Sequence, residues 1–233
     1  MKILIPMAGR GKRFEIAGYS FPKPLIDIDG KTMIQVIIEN LNFSAEHIFI
    51  CQKEHYKKYA LKDLLELVSP NCDIIQVDEV TDGAARTALL AKELINNDEE
   101  LIIANSDQWV NWNNQHFLSF MRNNNVDGGI VTFIATHPKW SFVKINDSNE
   151  VIEVAEKKPI SNIATVGIYY FKKGRYFVEA AEKMIAKDIR TSNEFYIAPV
   201  YNEMIQDKKK IFHYPIAEMR GLGTPEDLSN FLT

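Results

Sequence analysis

The 233-residue sequence has only two cysteines, Cys51 and Cys72, which fit neither a Cys-x-x-Cys metal site nor a disulfide framework. Both fall where buried strands are expected to end. It has no excess of basic charge: 27 Lys and Arg face 31 Asp and Glu, giving a net charge of −4. An extended nucleic-acid backbone is therefore disfavoured as the main partner. No stretch approaches the ~20 apolar residues of a membrane span. The early apolar run Ile3-Leu4-Ile5 is too short for the core of a signal peptide and is followed by Arg10, Lys12 and Arg13. The expectation is a reduced, cytoplasmic, soluble protein with no membrane partner. No Pro/Ser/Gly-rich linker, internal repeat or low-complexity tract divides the chain, so residues 1–233 are expected to form one domain. With 46% apolar and 25% charged residues, a disordered chain is excluded.

What is present is an alternation of strand-length apolar runs with helix-length amphipathic segments, the pattern of an α/β domain. Strands are expected at 2–6, 47–51, 73–77 and 101–104, with helices at 33–41, 54–68 and 83–94 between them. Runs such as Ile48-Phe49-Ile50 and Leu101-Ile102-Ile103 are apolar throughout, as strands of a parallel sheet covered on both faces must be. To about residue 108 the pattern is a three-layer, mostly parallel, Rossmann-like sheet. Beyond it, strands at 128–135, 142–145, 151–155, 165–171 and 210–214 and helices at 175–187, 195–205 and 225–231 form a mixed or antiparallel elaboration on the same sheet. Asp147-Ser148-Asn149 supplies a hairpin turn.

The segment after the first strand, Pro6-Met7-Ala8-Gly9-Arg10-Gly11-Lys12-Arg13-Phe14, alternates glycine with cationic residues. Gly9 and Gly11 let the backbone turn tightly and bring amides against phosphate oxygens, and Arg13 adds a fork of donors. A dinucleotide fingerprint would need a third glycine where Phe14 stands, and no helical pattern opens at once. A P-loop would need a hydroxyl where Arg13 stands. By itself the loop reads equally well as a surface turn with solvated charges. Phe21-Pro22-Lys23-Pro24-Leu25 shifts that balance, because two prolines stiffen the chain around one lysine and present its ammonium at a defined place.

These two segments resemble the sugar-1-phosphate nucleotidyltransferases, or sugar nucleotide pyrophosphorylases. The family's Gly-x-Gly-x-Arg loop and Pro-Lys-Pro-Leu segment stand here as Gly9-Arg10-Gly11-Lys12-Arg13 and Pro22-Lys23-Pro24-Leu25. Further echoes are Gly30-Lys31-Thr32-Met33-Ile34, Asp82-Gly83-Ala84-Ala85, Asn105-Ser106-Asp107-Gln108, Glu156-Lys157, Val166-Gly167-Ile168-Tyr169-Tyr170 and Gly223-Thr224-Pro225-Glu226-Asp227-Leu228. The resemblance runs in order over nearly the whole chain.

It implies a nucleoside triphosphate and a small phosphorylated acceptor as partners, with Mg²⁺ as cofactor. The acceptor's phosphate oxygen attacks the α-phosphorus, pyrophosphate leaves, and a nucleotide-activated product remains. The attacker is already an anion, so the catalyst must screen charge and hold the reactants in line. Arg13 would stabilise the leaving pyrophosphate and Lys23 the α-phosphate. Loop amides around Ala8 to Gly11 would hold the phosphates, and Met7, Ala8, Gly9, Gly11, Lys12 and Ser106 would be among the nucleotide-binding residues. Asp107, at the carboxyl edge of a strand where open α/β sheets bind ligands, would bind the magnesium. Gly83 and Ala84 would receive the nucleobase, the missing side chain at Gly83 leaving room for a flat ring. Members using thymidine or uridine triphosphate often carry glutamine five residues before that glycine. Asp78 here accepts but does not donate, which leans towards CTP or GTP; a solvated Asp78 is the plain alternative. On the acceptor side stand Glu156, Lys157 (with Lys158 as its alternate), Gly167, Asn193 and Glu194.

The halves thus divide at about residue 108 into nucleotide-binding and acceptor-binding parts, and self-association into a homo-oligomer is left open. The context implied is bacterial capsule or envelope precursor synthesis. Two departures stand out. Ser141 follows Trp140 where many members have glycine, and Gly221 stands where many have an aspartate that is a second magnesium ligand. Glu218 or Asp227 is then a substitute ligand, or phosphates and water complete the shell. Two other functions fit parts of the pattern. A related glycosyltransferase would use Asp107 with a nucleotide sugar but would have no need of Arg13 and Lys23. A non-catalytic nucleotide-binding subunit is supported only by the missing carboxylate.

Overall fold

The computed structural model describes all 233 residues. Its strands, in chain order, are β1 (Lys2–Pro6), β2 (Asp27–Ile28), β3 (Lys31–Thr32), β4 (Glu46–Gln52), β5 (Asp73–Val77), β6 (Leu101–Ala104) and β7 (Gln108–Asn111). They continue with β8 (Gly128–Ile134), β9 (Ser141–Ile145), β10 (Val151–Glu156), β11 (Ile163–Phe171), β12 (Ile211–Pro215) and β13 (Glu218–Gly221). Nine of them form one sheet in the order β10-β9-β11-β6-β1-β4-β5, with β8 paired to β11 and β12 to β8. Strands β6, β1, β4 and β5 are parallel. Strand β11 enters antiparallel between β6 and β8, so the second half of the chain extends the sheet of the first.

Successive residues of β1 point to opposite faces and bury in different cores. Ile3 and Ile5 join 30 buried residues beneath the helices Met33–Leu41, Leu61–Val68 and Asn114–Asn123. Leu4 joins 29 on the other face, beneath Ala84–Leu89, Gly174–Ala186 and Val200–Gln206. Two cores of nearly equal size mean that neither face of the sheet is left to solvent, which is why its strands read as unbroken apolar runs.

The differences from expectation have local causes. The helix expected at 54–68 is two, Lys53–Lys58 and Leu61–Val68, because Ala60 adopts φ 46° between them. The one expected at 83–94 is likewise Ala84–Leu89 and Lys92–Ile95. The one expected at 195–205 begins only at Val200. Phe195 is held instead by hydrogen bonds from its amide to the Asp82 carbonyl (2.8 Å) and from the Ala85 amide to its own carbonyl (2.9 Å). The unexpected helix Asn114–Asn123 starts where Asn113 accepts from the His116 amide at 2.9 Å. A turn of helix, Lys12–Ile16, does open directly after the glycine loop. The expectation of none there is corrected; Phe14, buried and edge-on to Tyr19 at 5.1 Å, anchors it.

Candidate active site

The glycine loop leaves β1 at its carboxyl end. Met7 still donates to the Ile50 carbonyl (2.8 Å), and the side chains of Met7 and Ala8 are buried in the two cores. The Met7 amide is therefore spent on the sheet, and the loop amides begin after it. The amides of Gly9, Arg10, Gly11 and Lys12 lie outside the backbone ladder. Gln52, which no motif marked, clamps the loop by donating to the carbonyls of Ala8 (3.0 Å) and Gly9 (3.2 Å). Gly11 has φ 63°, and a Cβ there would lie 3.3 Å from the Lys23 Cβ. The loop and the lysine segment touch at the point where only glycine fits without strain.

Pro22 is extended, Lys23–Leu25 forms a 3₁₀ turn, and Pro24 is buried beneath it. This stiff mount carries the Lys23 ammonium to 2.7 Å from the Asp107 Oδ2, with both side chains about four-fifths buried (23% and 20% exposed). Asp107 lies just past β6. Its carbonyl accepts from the Leu222 amide at 2.7 Å, and β7 pairs antiparallel with β13 so that Gln108 opposes Gly221. That two-stranded ribbon brings residues 221–227 to Asp107. Of the two substitute acids, Glu218 is bound by Arg220 at 2.8 Å, whereas Asp227 lines the cleft and faces Lys139 at 3.6 Å.

The cleft measures about 620 Å³ and is bordered by the predicted residues Arg13, Ala84, Asp107, Glu156, Lys157 and Gly167. Asp227, one of the two substitute acids, lines it as well, as do Lys139, Tyr169 and Tyr196, which were not assigned from sequence. Gly167 has φ 82°, and a Cβ there would overlap the side-chain amides of Gln108 and Asn105. Glu156 accepts from the Ser141 hydroxyl, and burial pushes its carboxyl above the usual range although that bond pulls it down. The hydroxyl found where glycine is usual is thus occupied with Glu156. Lys157 donates its amide to the Trp140 carbonyl (3.0 Å), and its ammonium lies 4.5 Å from the centre of the Tyr196 ring. It also bonds the Tyr196 hydroxyl, which donates to Glu194. Burial, then the Glu194 hydrogen bond, push that phenol well up. Lys157, not Lys158, lines the cleft. Asn193 occupies a turn with φ 66° and does not border it.

The nucleobase expectations fare differently. Gly83 has φ 136°, and a Cβ there would overlap backbone atoms of Phe195. The space that glycine leaves is therefore filled by Phe195 rather than free for a ring, which corrects the physical argument made for it. Asp78 is 76% exposed and paired with Lys53 at 2.8 Å, and Ser106 is buried. Neither borders the main cleft, whereas Ala84 does. A second hollow of about 580 Å³ lies on the side of the loop bearing Arg10, Lys12, Lys23, Gln52 and His55. No helix is long and apolar enough to cross a membrane.

A glycine-hinged cationic loop and a proline-framed lysine are thus set against an aspartate at the carboxyl edge of a parallel sheet, the edge where open α/β folds bind ligands. The profile described as nucleotidyl transferase matches residues 2–230, and the chain belongs to that family. It is 30% identical over 175 residues to the bifunctional protein GlmU of Methanocaldococcus jannaschii, covering 74% of this chain and 40% of that one. It is 26% identical over 179 residues to the mannose-1-phosphate guanylyltransferase catalytic subunit beta of Dictyostelium discoideum, covering 73% and 49%. The chain thus spans less than half the length of these relatives. Among solved structures, the nucleoside-diphosphate-sugar pyrophosphorylase of Vibrio cholerae RC9 superposes with a TM-score of 0.84 at 27% identity, covering 99% of both chains. The inositol-1-phosphate CTP transferase of T. maritima shares the fold, with a TM-score of 0.76 at 13% identity over 97% of this chain and 90% of that one.

Proposed function

We propose that the chain transfers a nucleotidyl group from a nucleoside triphosphate to a sugar 1-phosphate or a similar small phosphorylated metabolite, releasing pyrophosphate. The observation that carries this reading is the Lys23 ammonium, 2.7 Å from Asp107 on a proline-stiffened mount whose backbone and Cβ lie beside the Gly11 hinge. An acceptor phosphate is already a nucleophile, so the residues have only to align two anions and disperse charge. Arg13 and the free loop amides take the β- and γ-phosphates. Lys23 takes the α-phosphate as the bond to pyrophosphate lengthens. Lys157 takes the acceptor phosphate from the opposite wall. A glycosyltransferase would leave Arg13 and Lys23 with no triphosphate to bind.

Mg²⁺ fits the donor set, since Asp107 offers a hard carboxylate oxygen and a Cβ on Gly223 would intrude to 3.1 Å from it. Bound there, it would draw negative charge from the phosphates. For the base we favour CTP or GTP. Asp78 would accept from a cytosine amino group or a guanine edge by exchanging its present partner Lys53. The product would serve bacterial envelope or capsule precursor synthesis. The test is a grid of the four triphosphates against phosphorylated sugars, polyols and small metabolites, scored by pyrophosphate release. At least one pair should turn over with Mg²⁺; a grid without pyrophosphate from any pair overturns the reading.

A further inference from the structure

Of the three carboxylates that line the cleft, Glu156 is bonded to Ser141 and pushed up by burial, which leaves Asp107 and Asp227 facing it, and a carboxylate repels a phosphate unless a cation stands between them. Asp107 follows β6, and Asp227 lies in the first turn of the helix Pro225–Leu232. The segment between β13 and that helix brings them to one point. A Cβ on Gly223 would lie 3.1 Å from the Asp107 Oδ2 and 4.0 Å from the Asp227 Oδ2. A Cβ on Gly221 would lie 3.7 Å from the same Asp227 oxygen. Glycine at 221 and 223 therefore leaves open the space that both acids border.

The placement of Asp227 is fixed by several contacts. Thr224 caps the helix by accepting from the Asp227 amide at 3.0 Å, and Pro225 occupies the first helical position. The Leu222 amide ties the preceding segment to the Asp107 carbonyl. Each carboxylate also faces an ammonium, Lys23 on Asp107 at 2.7 Å and Lys139 on Asp227 at 3.6 Å. Lys139 is supported by the Trp140 ring, 4.6 Å below its Nζ. Two acids from distant parts of the sequence, each opposite its own lysine, frame one small opening.

We propose that Asp107 and Asp227 together bind one divalent cation, in competition with Lys23 and Lys139. The assignment rests on the nucleotidyl-transfer reading and moves the second carboxylate from position 221 to the helix that follows. No group of three His, Cys, Asp or Glu side chains stands close enough to cage an ion. Two carboxylates, completed by phosphate oxygens and water, are the usual protein share of a magnesium site. Displaced from the acids, Lys23 is available to the triphosphate and Lys139 to the acceptor phosphate.

Mn²⁺ alone is the probe, its free concentration read by electron paramagnetic resonance in a titration of the intact chain. Asp107→Asn and Asp227→Asn should each weaken Mn²⁺ binding by about tenfold or more. Lys139→Ala should tighten it by about two- to fivefold, because a competing ammonium is gone; a merely structural lysine would not do this. Gly223→Ala keeps both acids and narrows the opening, so it should weaken binding even if an Asp227 variant melts early. Wild-type affinity in a folded Asp227→Asn or Gly223→Ala variant overturns the proposal, as does unchanged or weaker binding in Lys139→Ala. Pyrophosphate release separates this from the parent reading. Turnover with Mn²⁺ binding indifferent to Asp227 rejects only the cation site, whereas Asp227-dependent Mn²⁺ binding without turnover on any pair rejects the reaction.

Discussion

The two sides of the site are built in opposite ways. The side assigned to the triphosphate comes from two neighbouring segments, Gly9 to Arg13 and Pro22 to Lys23, that meet where Gly11 faces Lys23; Arg13 borders the main cleft, and Gly11, Lys12 and Lys23 border the second hollow. The side assigned to the acceptor is gathered from Trp140, Glu156, Lys157, Tyr169, Tyr196 and Asp227, on five separate stretches of chain. The first depends on local backbone geometry, set by glycine and proline. The second depends on β11, β9 and β10 being registered correctly and on β7 finding β13. A contiguous motif preserves its chemistry while the rest of a fold varies, and a wall assembled at long range is free to change its ligand. Triphosphate handling should therefore be the constant of this site and acceptor choice its variable.

The sharpest way to break that contrast is Lys23→Ala. Loss of a rigidly mounted charge at the reacting phosphate should lower kcat by about 10²- to 10³-fold. Triphosphate affinity should change far less, since Arg13 and the loop amides remain. Equal loss in kcat and in triphosphate binding would show that the mount merely binds. Next in size is Lys157→Ala, expected to raise the acceptor KM by about tenfold with a smaller change in kcat. A triphosphate KM that moved instead would place Lys157 on the wrong wall.

Gly83→Ala tests whether glycine there serves packing. Its Cβ would overlap the Phe195 backbone at a φ of 136°, so stability to urea should fall by about 1–3 kcal/mol. Unchanged stability would mean that Phe195 gives way freely. The smallest effect concerns pH. Burial raises the Glu156 carboxyl above its ordinary 4.5, so the folded chain holds a proton that the unfolded chain has released. Stability contributed by Glu156 is thus complete below 4.5 and declines as pH rises through the raised value. Glu156→Gln should melt higher than the parent near neutral pH, and the gap should close as pH falls below 4.5. A gap of constant size across that range would show that the carboxyl is not the cause.

Much of the fold was legible because its strands are buried on both faces. Strands at 2–6, 73–77 and 101–104 and the helix at 33–41 occur with the bounds expected. The Thr32 hydroxyl caps that helix by accepting from the Gln35 amide. Breaks inside helices were not legible, since an alanine at φ 46° carries no mark in the sequence. The ribbon of β7 and β13 was missed because four-residue strands paired across a hundred positions have no periodicity of their own. At the site, the glycine and proline motifs pointed to Arg13 and Lys23 because chemistry and backbone restraint coincide there, and the end of an apolar strand pointed to Asp107. Lys139 and Tyr196 were invisible for the opposite reason: an ordinary lysine and tyrosine become cleft residues only through the company they are folded into. Gly83 was misread because an empty Cβ position in sequence does not reveal which neighbour fills it.

The β7–β13 ribbon also sets an order of events during synthesis. Residues 9–13 leave the ribosome some two hundred residues ahead of the strip from Gly221 to Asp227 that lies against Asp107. A nascent chain carries its phosphate loop long before it owns an enclosed reaction chamber. The site is therefore incomplete until that later strip has been threaded into place.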